Sequence, residues 1–156
     1  MKNLIRTLFL FVIITFTAFS CDKDETDNNI FHVKDFSYDG CKNTSNKSST
    51  DEYIEYKTID DNYLSIKHVN VFFSCCPKAN IIVNSEIRND TIIIYESEEN
   101  ISPDCDCICY YDINLEIGPL EYGEYNFIIK IFDYTCTEFL LDFSSTTNTT
   151  HYIDKK

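Results

Sequence analysis

From about residue 30 onward, apolar residues come in short runs of Ile, Val, Tyr and Phe with Thr among them, and Asn, Asp, Gly or Pro separates the runs. This is strand composition, and no window repeats apolar residues at helical spacing for three turns. The pattern predicts eight strands, near 31–38, 52–59, 63–73, 80–87, 91–97, 108–117, 123–132 and 137–143. Alternate residues of a strand point to the same face, so Tyr125, Phe127, Ile129 and Ile131 share a core-facing side, as do Phe139, Leu141 and Phe143. The third strand breaks step, with Leu64 and Ile66 on the even side but Val69, Val71 and Phe73 on the odd. A β-bulge near His68 would keep both halves buried. Asp60-Asp61-Asn62 and Arg88-Asn89-Asp90 are hairpin connections, because Asn and Asp tolerate positive φ, and each joins two antiparallel neighbours.

Eight short strands with turn signals about every ten residues predict an all-β fold, an antiparallel β-sandwich rather than an α/β arrangement. The segment Leu120-Glu121-Tyr122-Gly123-Glu124-Tyr125 resembles the tyrosine corner of immunoglobulin-like and fibronectin type III domains, through Leu120, Gly123 and Tyr125. The resemblance implies an immunoglobulin-like sandwich in which the Tyr125 hydroxyl bonds back to the preceding corner. An ordinary Gly turn before a strand fits the same residues.

The first twenty residues follow a different pattern. Lys2 and Arg6 precede an apolar run from Leu8 to Phe16 and a small-residue region ending Thr17-Ala18-Phe19-Ser20-Cys21. That is the layout of a secretory signal, and the run is shorter than the roughly 20 residues a spanning helix needs. Ala18-Phe19-Ser20-Cys21 resembles the lipobox of bacterial lipoproteins, although Ala18 and Phe19 stand where Leu and a small residue are usual. Ala18-Phe19-Ser20 also fits an A-x-A-type site for the ordinary signal peptidase. Cys21-Asp22-Lys23-Asp24-Glu25 is similar to the acidic, Lys-containing tag behind the acylated Cys in surface lipoproteins of the Bacteroidota. The resemblance implies a lipid-modified Cys21, with palmitate among its acyl chains, and attachment to the outer membrane of the cell envelope with exposure at the surface. The expected organisation is a signal peptide over 1–20, the acylated Cys and a polar tether over 21–29, the sandwich over 30–144 and a polar tail over 145–156 that frays, with Tyr152 and Ile153 able to dock.

Charge narrows the partners. The chain carries 13 basic and 26 acidic residues; Lys2 and Arg6 leave with the leader, so 11 stand against 26, a balance of −15. Such a charge repels nucleic acid and anionic lipid surfaces, which excludes a nucleic-acid partner. The membrane is reached through the lipid alone.

Seven cysteines remain besides Cys21: Cys41, Cys75, Cys76, Cys105, Cys107, Cys109 and Cys136. In an exported domain of this size such density predicts disulfides. Seven is odd, so acylation of Cys21 leaves one thiol free, paired with another molecule or bound to something. Cys105, Cys107 and Cys109 fall on one side of an extended strand, the side of Tyr111, Ile113 and Leu115. Cys75 and Cys76, vicinal and therefore pointing opposite ways, are their expected partners, which leaves Cys41 with Cys136 as the remaining bridge. The alternative for Cys75, Cys76, Cys105, Cys107 and Cys109 is a thiolate site for zinc or copper, disfavoured because alternate strand residues sit roughly 6.6 Å apart. Redox catalysis wants C-x-x-C at a helix N-terminus, which is not visible.

Other chemistry is sparse. His32, His68 and His151 are scattered, and His68 in mid-strand reads as a partly buried or solvated sheet residue. No G-x-S-x-G, H-E-x-x-H or phosphate loop occurs. Glu96-Ser97-Glu98-Glu99-Asn100 only weakly resembles a calcium loop and reads as a solvated loop. Tyr53, Tyr95, Tyr110 and Tyr122 are candidates for a sugar- or protein-binding face, or ordinary residues of an outer sheet surface. The sequence therefore predicts a non-catalytic binding or structural module without a cofactor, with a protein or glycan as its ligand.

Overall fold

The computed structural model describes residues 31–42, 51–60, 62–76, 79–100 and 106–153. The leader, Cys21, the tether and Cys105 lie outside the described residues. Nine strands follow in order: β1 (His32–Asp39), β2 (Tyr53–Ile59), β3 (Tyr63–Ser74), β4 (Asn80–Arg88), β5 (Thr91–Glu99), β6 (Ile108–Gly118), β7 (Gly123–Ile131), β8 (Tyr134–Phe143) and β9 (Asn148–Tyr152). No helix occurs among the described residues. One sheet runs β1-β6-β3-β2-β9 and the other β4-β5-β7-β8.

The two sheets pack through their apolar faces, as the predicted alternation requires. Ile54, Leu64, Ile66, Ile113, Leu115 and Ile117 of the first meet Ile92, Ile94, Phe127, Ile129, Leu141 and Phe143 of the second, all at most 2 % exposed. Removing these side chains from water is the main term that stabilises the sandwich. Tyr56 stacks on Phe139 at 5.4 Å between ring centroids, and Phe73 meets Phe132 edge-on at 6.2 Å, so aromatic contacts join the layers at two points.

Both expected hairpins are present: β2 pairs antiparallel with β3 and β4 with β5, with Asp60 and Asn89 at positive φ. The bulge in β3 falls at Asn70, two residues beyond His68, where the register shifts between Val69 and Val71 and φ is 61°. Three contacts hold that conformation: the Asn70 amide donates to Asp112 Oδ1 at 3.1 Å, its Nδ2 donates to the Asp51 carbonyl at 2.8 Å, and its Oδ1 accepts from Lys42 Nζ at 3.1 Å. Because the extra residue comes after His68, Leu64, Ile66 and His68 face inward before it and Val71 and Phe73 after it.

The tyrosine corner has the expected bond, with the Tyr125 hydroxyl donating to the Glu121 carbonyl at 2.8 Å and Leu120 buried beside it. Gly123 is not sterically required, since a Cβ there would meet nothing within 4 Å. The strand order, with β5 and β7 parallel at the centre of one sheet, is not the ABED-over-CFG order of immunoglobulin domains. The sandwich architecture stands without that topology.

The ninth strand corrects the expectation of a frayed tail. Asn148–Tyr152 pairs antiparallel with β2, and the Ile153 amide donates to the Glu52 carbonyl at 3.0 Å. Its residues show no apolar alternation; what holds it is the unpaired backbone edge of β2, together with His151 stacked on Phe139 at 4.1 Å.

Candidate functional site

Four side chains from four segments converge between the sheets beside β9. His68 comes from the inward face of β3, and Glu52 from the residue before β2, where its carbonyl accepts from the Ile153 amide just past β9. Glu96 follows Ile92 and Ile94 on the core-facing side of β5. Cys136 is the extra residue where the β7–β8 register shifts, Ile129 facing Thr137 and Lys130 facing Thr135, so Cys136 and Thr137 both turn inward.

His68 is fully buried and lies between two carboxylates, with Nδ1 2.8 Å from Glu96 Oε2 and Nε2 3.0 Å from Glu52 Oε1. The Cys136 thiol donates to the same Glu52 oxygen at 3.4 Å. Burial opposes a charge on the imidazole, but the Glu96 carboxylate and hydrogen bonds with Cys136, Glu52 and Glu96 override it and hold His68 well above its ordinary range. Both ring nitrogens face acceptors, so the imidazolium is the form that satisfies both. Burial pushes the Cys136 thiol up, partly countered by the neighbouring imidazolium. Glu96 is itself fully buried, and its Oε1 has no hydrogen-bond partner. Donor atoms of Glu52, His68 and Cys136 all lie within 4.8 Å of one another, close enough to share a metal ion.

Cys136 also lines a cleft of about 530 Å³ between β8 and β9, with Thr135, Thr137, Glu138, His151, Tyr152 and Ile153 around it. Thr137 and His151 meet there, Oγ1 to Nε2, at 3.1 Å.

No protein-family model matches the chain, and no curated protein or solved structure matches it.

Among the described residues the other five cysteines, Cys41, Cys75, Cys76, Cys107 and Cys109, are oxidised. Cys75 bonds Cys107, one of the expected partners, because the β3–β6 ladder continues past Ser74 and the Cys75 amide donates to the Cys107 carbonyl at 3.1 Å. Cys41 bonds Cys109 rather than Cys136. After β1 the chain stays beside β6, with the Lys42 amide donating to the Tyr110 carbonyl at 3.1 Å, and this sets Cys41 against Cys109. Cys76 is disulfide-bonded as well, and among the described residues Cys136 is the free cysteine. Sulfurs in disulfides offer no thiolate, so Cys75, Cys76, Cys107 and Cys109 do not form the zinc or copper site weighed from the sequence.

Neither Glu52 nor Glu96 was expected here. Glu96, at the end of the predicted 91–97 strand but read as solvated, is fully buried within β5, and His68 is deeper than a partly solvated sheet residue. A signal for both exists in the sequence: each follows two aliphatic residues in strict alternation, Ile92-Ile94-Glu96 and Leu64-Ile66-His68. Charge-bearing groups on core-facing positions of two strands need each other. Of the candidate tyrosines, Tyr122 is exposed, whereas Tyr53, Tyr95 and Tyr110 are half-buried, Tyr110 against Phe72 at 4.1 Å.

Proposed function

We propose that this chain is an exported lipoprotein, anchored to the cell envelope through Cys21, whose sandwich is a non-catalytic module that recognises a protein or glycan. The carrying observation is the state of the sulfurs: bridged Cys41–Cys109 and Cys75–Cys107 beside an unpaired Cys136. Such bridges persist in an oxidising compartment. A lone internal thiol is what the odd count leaves once Cys21 is acylated.

A recognition surface is available next to the Cys75–Cys107 bridge. Phe72 is 44 % exposed, Ile108 70 % and Phe132 46 %, and the three border one shallow hollow together with Cys107. Apolar groups of this size left in water, framed by Glu98 and Asp106, mark a binding face on a rigid scaffold.

The test is expression of the full chain in a bacterium fed an alkyne-tagged palmitate. The label should enter the protein and place it in the membrane fraction, and Cys21→Ser should abolish both. An unlabelled protein in the soluble fraction would refute the anchoring. Recognition is tested by displaying the domain against purified envelope glycans and proteins, where Phe72→Ser with Ile108→Ser should abolish capture; retained capture refutes that surface.

A further inference from the structure

We infer that Glu52 Oε1, His68 Nε2 and Cys136 Sγ form a binding site for one zinc ion, with Glu96 as the carboxylate that orients the histidine. The inference goes beyond the anchored-module reading and does not depend on it.

The donor chemistry selects the metal. One carboxylate oxygen, one imidazole nitrogen and one thiolate sulfur form a mixed set that suits zinc, whereas calcium and magnesium take oxygen ligands. The spacing fits too. In a tetrahedral site, bonds of about 2.0 Å to O and N and about 2.3 Å to S put O and N about 3.3 Å apart and O and S about 3.5 Å apart. The corresponding separations here are 3.0 and 3.4 Å. Nε2 and Sγ lie within 4.8 Å of each other, so drawing the thiol sulfur toward the ring would bring all three onto one ion.

The surroundings provide what such a site needs. A metal-bound histidine commonly gives its other ring N–H to a carboxylate, and Nδ1 faces Glu96 Oε2 at 2.8 Å. The other oxygen of that carboxylate, Glu96 Oε1, is buried without a hydrogen-bond partner, so the group beside the histidine is only half satisfied. Cys136 opens the site to the cleft, giving the ion an entry path and leaving a fourth position for water. The exchange balances: the ion displaces the proton on Nε2 and the thiol proton, both leave to solvent, and the net charge of the buried group is unchanged.

The ligands come from both layers, Glu52 and His68 with the β2–β3 sheet and Cys136 from β8. Zinc would therefore tie the sheets together where β9 closes the edge, and loading should stabilise the fold.

The experiment uses the purified full-length protein with its disulfides intact, stripped with chelator and titrated with Zn2+ and, for its spectrum, Co2+. One equivalent should bind, Co2+ should show a thiolate charge-transfer band, and Zn2+ should raise Tm. Cys136→Ser should remove the band and weaken zinc by at least about tenfold, while Glu96→Gln should keep the band and weaken binding about 10- to 100-fold. The wild-type cobalt spectrum needs no variant, so the inference stays testable even where a substitution impairs folding. Cobalt bound without the thiolate band would overturn it. So would several weak equivalents that Cys136→Ser leaves unchanged, which would reveal only the acidic surface.

Discussion

Replacing His68 by Leu isolates the energetics of the buried cluster. The imidazolium is the charge partner of Glu96, which is fully buried and has only one oxygen satisfied, by the 2.8 Å bond to Nδ1. Without His68, Glu96 stays between the sheets as an unpaired carboxylate. Removing one member of a buried pair costs about 3–5 kcal/mol. The added apolar contacts of Leu offset only part of this, since the site is already close-packed around the ring. Replacing both His68 and Glu96 by Leu removes the imidazolium together with the fully buried carboxylate and leaves Glu52, still bonded to Cys136, as the group that loses a partner, so the double variant should recover most of the single variant's loss. Urea unfolding of the oxidised, chelator-treated protein gives both numbers. With m near about 2 kcal/mol/M, a loss of about 4 kcal/mol moves the midpoint down by about 2 M at unchanged m. A single variant within about 1 kcal/mol of wild type, or a double variant as damaged as the single, would refute the pairing as the determinant of this site.

Three other features give independent tests. Burial raises the Asp112 carboxyl, but Lys42, the Asn70 amide and Lys67 more than reverse this and hold it below its ordinary range. Its folded pKa is thus below its unfolded one, so its stabilisation is present above the unfolded value of 3.8 and is lost as pH falls through the folded value. Asp112→Asn should flatten that acid-side loss in urea midpoints measured against pH, and an unchanged slope would contradict the ion-pair account. Converting Cys41 and Cys109 to Ser releases a constraint across 68 residues, and converting Cys75 and Cys107 releases one across 32. Chain entropy puts each at about 4 kcal/mol, visible as a large drop in Tm, and a pair of variants as stable as the parent would mean the bridges are absent. Tyr125→Phe removes the hydroxyl bond to Glu121 at the corner. It should cost about 0.5–1.5 kcal/mol, and no measurable change would make the corner incidental.

Much of the architecture was legible because hydropathy of period two is what a half-buried strand writes into sequence. Eight of the strands, both hairpins and the break in step along β3 follow from local pattern, and the bond at Tyr125 follows from the resemblance of residues 120–125 to a tyrosine corner. The β9 strand does not, because Asn148-Thr149-Thr150-His151-Tyr152 is held by backbone pairing to β2 and hides little apolar surface. The partner of Cys41 was likewise out of reach. It depends on the chain after β1 staying beside β6, a contact between backbone groups that side-chain pattern does not encode. Glu52, His68, Glu96 and Cys136 are hard to assemble from sequence for a related reason. His68 and Glu96 violate the apolar alternation of their strands, whereas Glu52 and Cys136 stand in polar surroundings that give no signal, and the four meet only when separate segments are brought to one point.

Intact-mass analysis of the native protein, alkylated without prior reduction, tests the central claim most directly. The account predicts a chain beginning at Cys21 with added lipid mass and a single alkylated position, Cys136. A polypeptide still carrying Met1, with Cys41, Cys75, Cys107 and Cys109 all alkylated, would contradict it.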